Sequence, residues 1–124
     1  MADQLDELTI RFLATSGYLG VSRLNTTTMA AAVGFDVEQL DDLRLAVNEA
    51  VTWLLIDDEL GGHVELTIAC DDRSLRFRGR RTRAGLPSRE PDELIHAILG
   101  ATVDDYQTGE DEDGHRYVTL SKRA

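Results

Sequence analysis

One cysteine, two prolines and one tryptophan are spread over 124 residues, and each scarcity excludes something. Cys70 by itself closes no intrachain disulfide. With His63, His96 and His115 scattered far from it and from one another, it builds no Cys-based zinc site either. Stability is therefore expected from packing. No apolar run approaches the ~20 residues of a membrane span, and the stretch from Met1 to Leu13 carries Asp3, Asp6 and Glu7 where a secretory signal is basic. The expectation is a cytoplasmic protein without a membrane partner. Basic residues are also short: 13 Lys and Arg stand against 23 Asp and Glu, a formal charge of −10 that sets the long-range field against nucleic acid. What is present fits one domain over residues 1–124 with enough apolar sequence for a core.

Leu8, Ile10 and Phe12 alternate with Thr9 and Arg11, the period of a half-buried strand, over about Asp6 to Ala14. From Tyr18 the period lengthens: Val21, Leu24, Thr28 and Ala31 or Ala32 predict a first helix that stops at Gly34. Asp36 with Gln39 three residues on reads as a capping box opening a long helix from Val37 to about Ile56. Leu40, Leu43, Val47, Ala50, Val51 and Leu54 form one apolar stripe on it, and Leu45, Ala46, Trp53 and Ile56 a second. A helix apolar on two faces belongs in the middle of a domain. Val64 to Cys70, a turn at Asp71 to Ser74, and Leu75, Phe77 and Gly79 alternating with Arg76, Arg78 and Arg80 predict a hairpin. An aperiodic loop follows from Arg80 to Pro91, then a short helix from Leu94 that ends at Gly100. Strands over about Thr102 to Thr108 and Arg116 to Lys122 flank an acidic tip closed by Asp113-Gly114. This order predicts an α+β, two-layer sandwich: a mostly antiparallel five-stranded sheet with three helices on one face.

The segment Leu43-Arg44-Leu45-Ala46-Val47-Asn48-Glu49-Ala50-Val51-Thr52-Trp53 resembles the signature helix of the histidine kinase-like ATPase superfamily, in its anti-sigma factor serine kinase branch. The element order matches that fold across nearly the whole chain. In that family the helix carries Glu-x-x-x-Asn, the Glu as general base and the Asn as a ligand of the magnesium that bridges the nucleotide phosphates. The resemblance places Glu49 at the base position and Trp53 where the Asn stands. Magnesium takes oxygen ligands and an indole offers only an N–H donor. Asn48 is no substitute, because adjacent residues point about 100° apart around a helix.

Two further motifs differ. Active members have Asp-x-Gly-x-Gly after the second hairpin strand, where this chain reads Phe77-Arg78-Gly79-Arg80-Arg81-Thr82-Arg83-Ala84-Gly85. Their lid ends in a glycine-rich turn at a helix N-terminus, where this chain reads Ser88-Arg89-Glu90-Pro91-Asp92-Glu93-Leu94, with three carboxylates that repel a triphosphate. The expectation is the family's fold without its standard ATP site.

Glu49 then reads either as a desolvated base or as a carboxylate left at the rim of an emptied pocket or paired with an arginine. Trp53 reads as a plug in the former nucleotide cavity or as a stacking platform. Seven of the 13 basic residues fall between Arg73 and Arg89, either a patch for phosphate, nucleic acid or an acidic protein, or a solvated strand face and loop. The candidate site residues are Glu49 at the catalytic position, and Trp53, Arg78, Arg80 and Arg81 around the degenerate pocket, with no metal-ligand set. The three histidines and the tip Glu110 to Asp113 read as structural or solvated. The leading reading is an anti-sigma factor-like regulator that binds protein, without ATP hydrolysis or kinase activity and without a cofactor. What the resemblance implies for partners is a sigma factor, an anti-anti-sigma protein or a second copy of the chain, with about Asp6 to Val33 in the contact surface. Two alternatives stand beside it: an ATP- and magnesium-dependent serine/threonine kinase with an atypical site, and a small binding module using the Arg-rich loop.

Overall fold

The computed structural model describes residues 6–83 and 85–124. Residues 1–5, in the acidic N-terminal stretch, and Ala84, in the loop motif, lie outside that description. Strand β1 (Asp6–Leu13) leads through a 3-10 turn at Ser16–Tyr18 into α1 (Leu19–Ala32) and α2 (Val37–Leu54). After a second 3-10 turn at Asp58–Leu60 come β2 (His63–Asp71), β3 (Ser74–Arg81), α3 (Glu93–Thr102), β4 (Asp105–Glu110) and β5 (Arg116–Arg123). The sheet order is β1-β2-β3-β5-β4 and every neighbouring pair is antiparallel, so the expected two-layer α+β arrangement is present.

Local chemistry fixes the elements. Asp36 accepts from the Gln39 backbone N–H at 2.8 Å while the Gln39 side chain accepts from the Asp36 N–H at 3.0 Å, the capping box that starts α2. The β2–β3 turn puts Asp72 and Arg73 at positive φ, the tight-hairpin geometry that matches the strand twist. Register then aligns Leu8, Ile68, Phe77, Leu120 and Tyr106 in one cross-strand row and Ile10, Leu66, Gly79, Val118 and Thr108 in the next, both facing the helices. α2 lies over β3 and β5 between α1 and α3. Its approach is close enough that a Cβ at Gly79 would stand 2.7 Å from Leu54 Cδ1, so the strand needs glycine there.

Five expectations change. α2 ends at Leu54 rather than Ile56, and its second stripe is narrower, because Leu45 is exposed while Ala46 and Trp53 are buried. α3 runs through Gly100 to Thr102, and β4 begins at Asp105. The burial of α3 through Leu99 and Thr102 outweighs the glycine's helix penalty of about 1 kcal/mol. The largest change is in α1. Its buried residues are Ser22, Thr26 and Ala30, and Val21 and Leu24 face outward at 42 % and 66 % exposure. Hydroxyls can line this interface because Ser22 donates to the Tyr18 carbonyl and Thr26 to the Ser22 carbonyl, leaving no donor unmet. Small side chains let α1 settle closely on α2, which larger apolar residues on that face would prevent.

Candidate functional site

The C-terminal half of α2 carries the residues that the sequence singles out. Trp53 is 2 % exposed, and its indole N–H donates to the Arg89 carbonyl at 3.2 Å. Its ring therefore lies beneath the β3–α3 segment, with its polar atom satisfied by that segment's backbone. Glu49, one turn earlier on the same face, is half-buried and has no hydrogen-bond or ion-pair partner among the described residues. Asn48 faces α1, where its side-chain oxygen accepts from Arg23 at 2.6 Å.

At the end of α2 the chain turns sharply. Asp57 adopts φ +66°, the left-handed region that Asp enters more readily than most residues. The carbonyls left free there point toward Arg81, which projects from the helix-facing side of β3 and is fully buried. Its guanidinium donates to the carbonyls of Leu54 (2.8 Å), Ile56 (3.1 Å), Asp57 (3.1 Å) and Gly61 (2.6 Å). A cation at the negative end of a helix, with its donors met by orphan carbonyls, is a stable way to bury an arginine. Burial first, and then the neighbouring Arg116 charge, pull its pKa below the ordinary value, yet an arginine keeps its proton.

A second buried arginine completes the cluster. Arg116, at the start of β5, is 1 % exposed and donates to Asp57 Oδ2 at 2.7 Å and to the Pro87 carbonyl at 2.9 Å. Arg89 pairs with the same carboxylate through two bonds, 3.1 and 2.9 Å. The hydrogen bonds from Arg89 and then Arg116 hold the Asp57 carboxyl well below the usual carboxylate range. Together with the Trp53–Arg89 bond they pin residues 87–89 over the end of α2. At the start of α3, Asp92 accepts the Ile95 N–H at 2.8 Å, so a side chain occupies the helix N-terminus.

These contacts divide the Arg-rich segment. Arg81, expected around the degenerate pocket, faces α2 as a strut between the Leu54 and Gly61 carbonyls. Arg78 and Arg80, expected around the same pocket, alternate with it and stand on the opposite face of the sheet, away from Trp53 and Glu49. Arg83 turns back to the Leu60 carbonyl and Arg89 to Asp57. The arginines therefore form no single patch. Asp57 and Arg116 are the residues that sequence reasoning missed. They lie 59 positions apart, and only the sheet order brings β5 to the end of α2.

No protein-family model matches the chain. A serine-protein kinase RsbW of Oceanobacillus iheyensis is 38 % identical over 107 residues, covering 75 % of this chain and 66 % of the relative. The chain belongs to the anti-sigma factor kinase branch of the histidine kinase-like ATPase superfamily. Two other members of that branch match over shorter stretches. An RsbW of Listeria monocytogenes is 36 % identical over 52 residues, which span 42 % of this chain and only 33 % of the relative. An anti-sigma F factor of Clostridium acetobutylicum is 31 % identical over 72 residues, or 56 % of this chain and 50 % of that protein. The RsbU and RsbW domains of Rv1364c from Mycobacterium tuberculosis share the fold, with TM-score 0.71 at 19 % identity over 95 % of this chain and 32 % of theirs. α2 presents half-buried Glu49 and, one turn on, the buried indole of Trp53, which has no lone pair to give a metal.

Proposed function

We propose that this chain is an anti-sigma-type regulator of bacterial transcription that works inside the cell by binding protein, without the magnesium-nucleotide chemistry of its relatives. The observation that carries the reading is Trp53, which is buried and hydrogen-bonded to the Arg89 carbonyl, at the position that the resemblance aligns with the family's metal ligand. The pinned segment over it supports the same reading, since Arg89 and Arg116 are both engaged there by the Asp57 carboxylate, and Arg116 by the Pro87 carbonyl, instead of reaching into an open pocket. Half-buried Glu49 is then a remnant at the rim of a filled pocket. The partner is a sigma factor or an anti-anti-sigma protein, as the relatives named anti-sigma factor suggest. The contact surface is taken to run along β1 and α1, where Leu13, Tyr18, Val21 and Leu24 are exposed apolar side chains and Arg23 is the one ionised residue between Ser16 and Val33.

Calorimetric titration with ATP tests the nucleotide half. The expected result is no magnesium-dependent binding at millimolar ATP, in the wild type or in Trp53→Asn, because the sequence also departs from the family's Asp-x-Gly-x-Gly motif and glycine-rich lid turn. Micromolar, magnesium-dependent affinity in the wild type sinks it. Light scattering after size exclusion, with and without a candidate sigma factor, tests the other half. Complex formation lost on Val21→Glu or Leu24→Glu is expected, and an unchanged complex removes α1 from the interface.

A further inference from the structure

The sheet face turned away from the helices carries a feature that the regulatory reading does not use. Its residues fall into three cross-strand rows. The first is Glu7, Ala69, Arg76, Ser121 and Asp105; the second Thr9, Thr67, Arg78, Thr119 and Gln107; the third Arg11, Glu65, Arg80, Tyr117 and Gly109. The third row is neutralised, since Arg11 meets Glu65 at 3.6 Å and Arg80 meets Asp111 at 3.5 Å. Arg76 and Arg78 are exposed and have no carboxylate within 4.0 Å among the described residues.

Their neighbours on either side are small or hydroxylated, and they leave an open trough of about 520 Å³ lined at its centre by Thr67, Arg76, Arg78, Thr119 and Ser121, with Glu7 and Asp105 lining its two ends. Two residues apart on one strand, the arginines stand about 7 Å from each other at the backbone. Glu7 and Asp105 each lie two strands away, about 10 Å at the backbone, at opposite ends of the trough. The centre of the trough thus holds two guanidinium groups with no carboxylate within 4.0 Å among the described residues, in a chain of formal charge −10.

We infer that this trough binds a compact dianion of the phosphate monoester class, held between Arg76 and Arg78 with hydrogen bonds from Thr67, Thr119 and Ser121. Two guanidinium forks can grip one tetrahedral group from two sides, and its several oxygens match the surplus of donors better than a carboxylate's two do. Rows that end in Glu7 and Asp105 reject an extended polyanion lying across the sheet, so nucleic acid fits poorly. The inference does not rest on protein binding or on the state of the Trp53 site, which is on the other side of the sheet.

The test is a two-dimensional NMR titration of the intact chain at low salt. Its arms are inorganic phosphate, methyl phosphate, and a serine peptide with and without its phosphate. Saturable shifts of the β3 and β5 amides around Arg76, Arg78 and Thr119 are expected, weakened about tenfold in Arg76→Gln or Arg78→Gln and unchanged in Arg11→Gln. Tighter binding of the phosphopeptide than of methyl phosphate assigns the group to a partner protein; equal binding assigns it to a free ester. Shifts that ignore Arg76→Gln and Arg78→Gln overturn the inference. So does a single-stranded oligonucleotide that binds the same amides more tightly than any monoester.

Discussion

Replacing Trp53 by alanine is the most direct test of how the α2 site is built. The ring is 2 % exposed, and a buried tryptophan removes about 150–250 Å² from water, or roughly 4–6 kcal/mol at about 25 cal/mol per Å² as an upper bound. Deletions of large aromatics from cores cost about 3–5 kcal/mol, and the expected loss lies in that range. For a chain of this size it corresponds to a fall in Tm of roughly 10–20 °C. Trp53→Phe keeps an aromatic ring but orphans the Arg89 carbonyl, so about 1–2 kcal/mol is expected. Urea unfolding should be followed by far-ultraviolet circular dichroism, because Trp53 is the one tryptophan and its removal takes the fluorescence signal with it. The midpoint should move while the slope stays constant. A loss below about 1 kcal/mol for Trp53→Ala would place the ring at a surface and refute the plug.

Arg81→Met should destabilise by about 3–5 kcal/mol, because it strands the carbonyls of Leu54, Ile56, Asp57 and Gly61 inside the fold; the same unfolding assay reads it, and a near-neutral result would deny Arg81 its role as a strut. Asp57 has a carboxyl pKa depressed by Arg89 and Arg116, so its contribution is present above the unfolded value of about 3.9 and is lost as pH falls below that toward the folded value. The gap in urea midpoint between wild type and Asp57→Asn should therefore be constant from pH 7 to about 5 and close progressively below pH 4; a gap independent of pH contradicts the pairing.

The fold was legible because its signals are local. Period-two alternation in β1, β2 and β3, the Asp36–Gln39 capping box and the two-sided apolarity of α2 are consequences of backbone geometry that neighbouring residues express by themselves. The family was legible for a similar reason, since Leu43 to Trp53 is one continuous helix segment. The burial of Trp53 also followed from its place on that helix.

What the sequence could not decide was which way a side chain points when two faces are open to it, and which distant residue meets it. α1 has apolar side chains on a face that the tertiary structure leaves in solvent. The decision fell to packing distance, which favours Ser22, Thr26 and Ala30 against α2 over the larger Val21 and Leu24. Seven arginines read as one basic segment became separate groups, because strand alternation sends Arg76 and Arg78 to one side of the sheet and Arg81 to the other. The Asp57–Arg116 pair exists only because the order β1-β2-β3-β5-β4 carries the start of β5 to the end of α2. Local periodicity set the elements of this protein. The pairing of buried charges, which depends on contacts across 59 residues, was set by the tertiary structure alone.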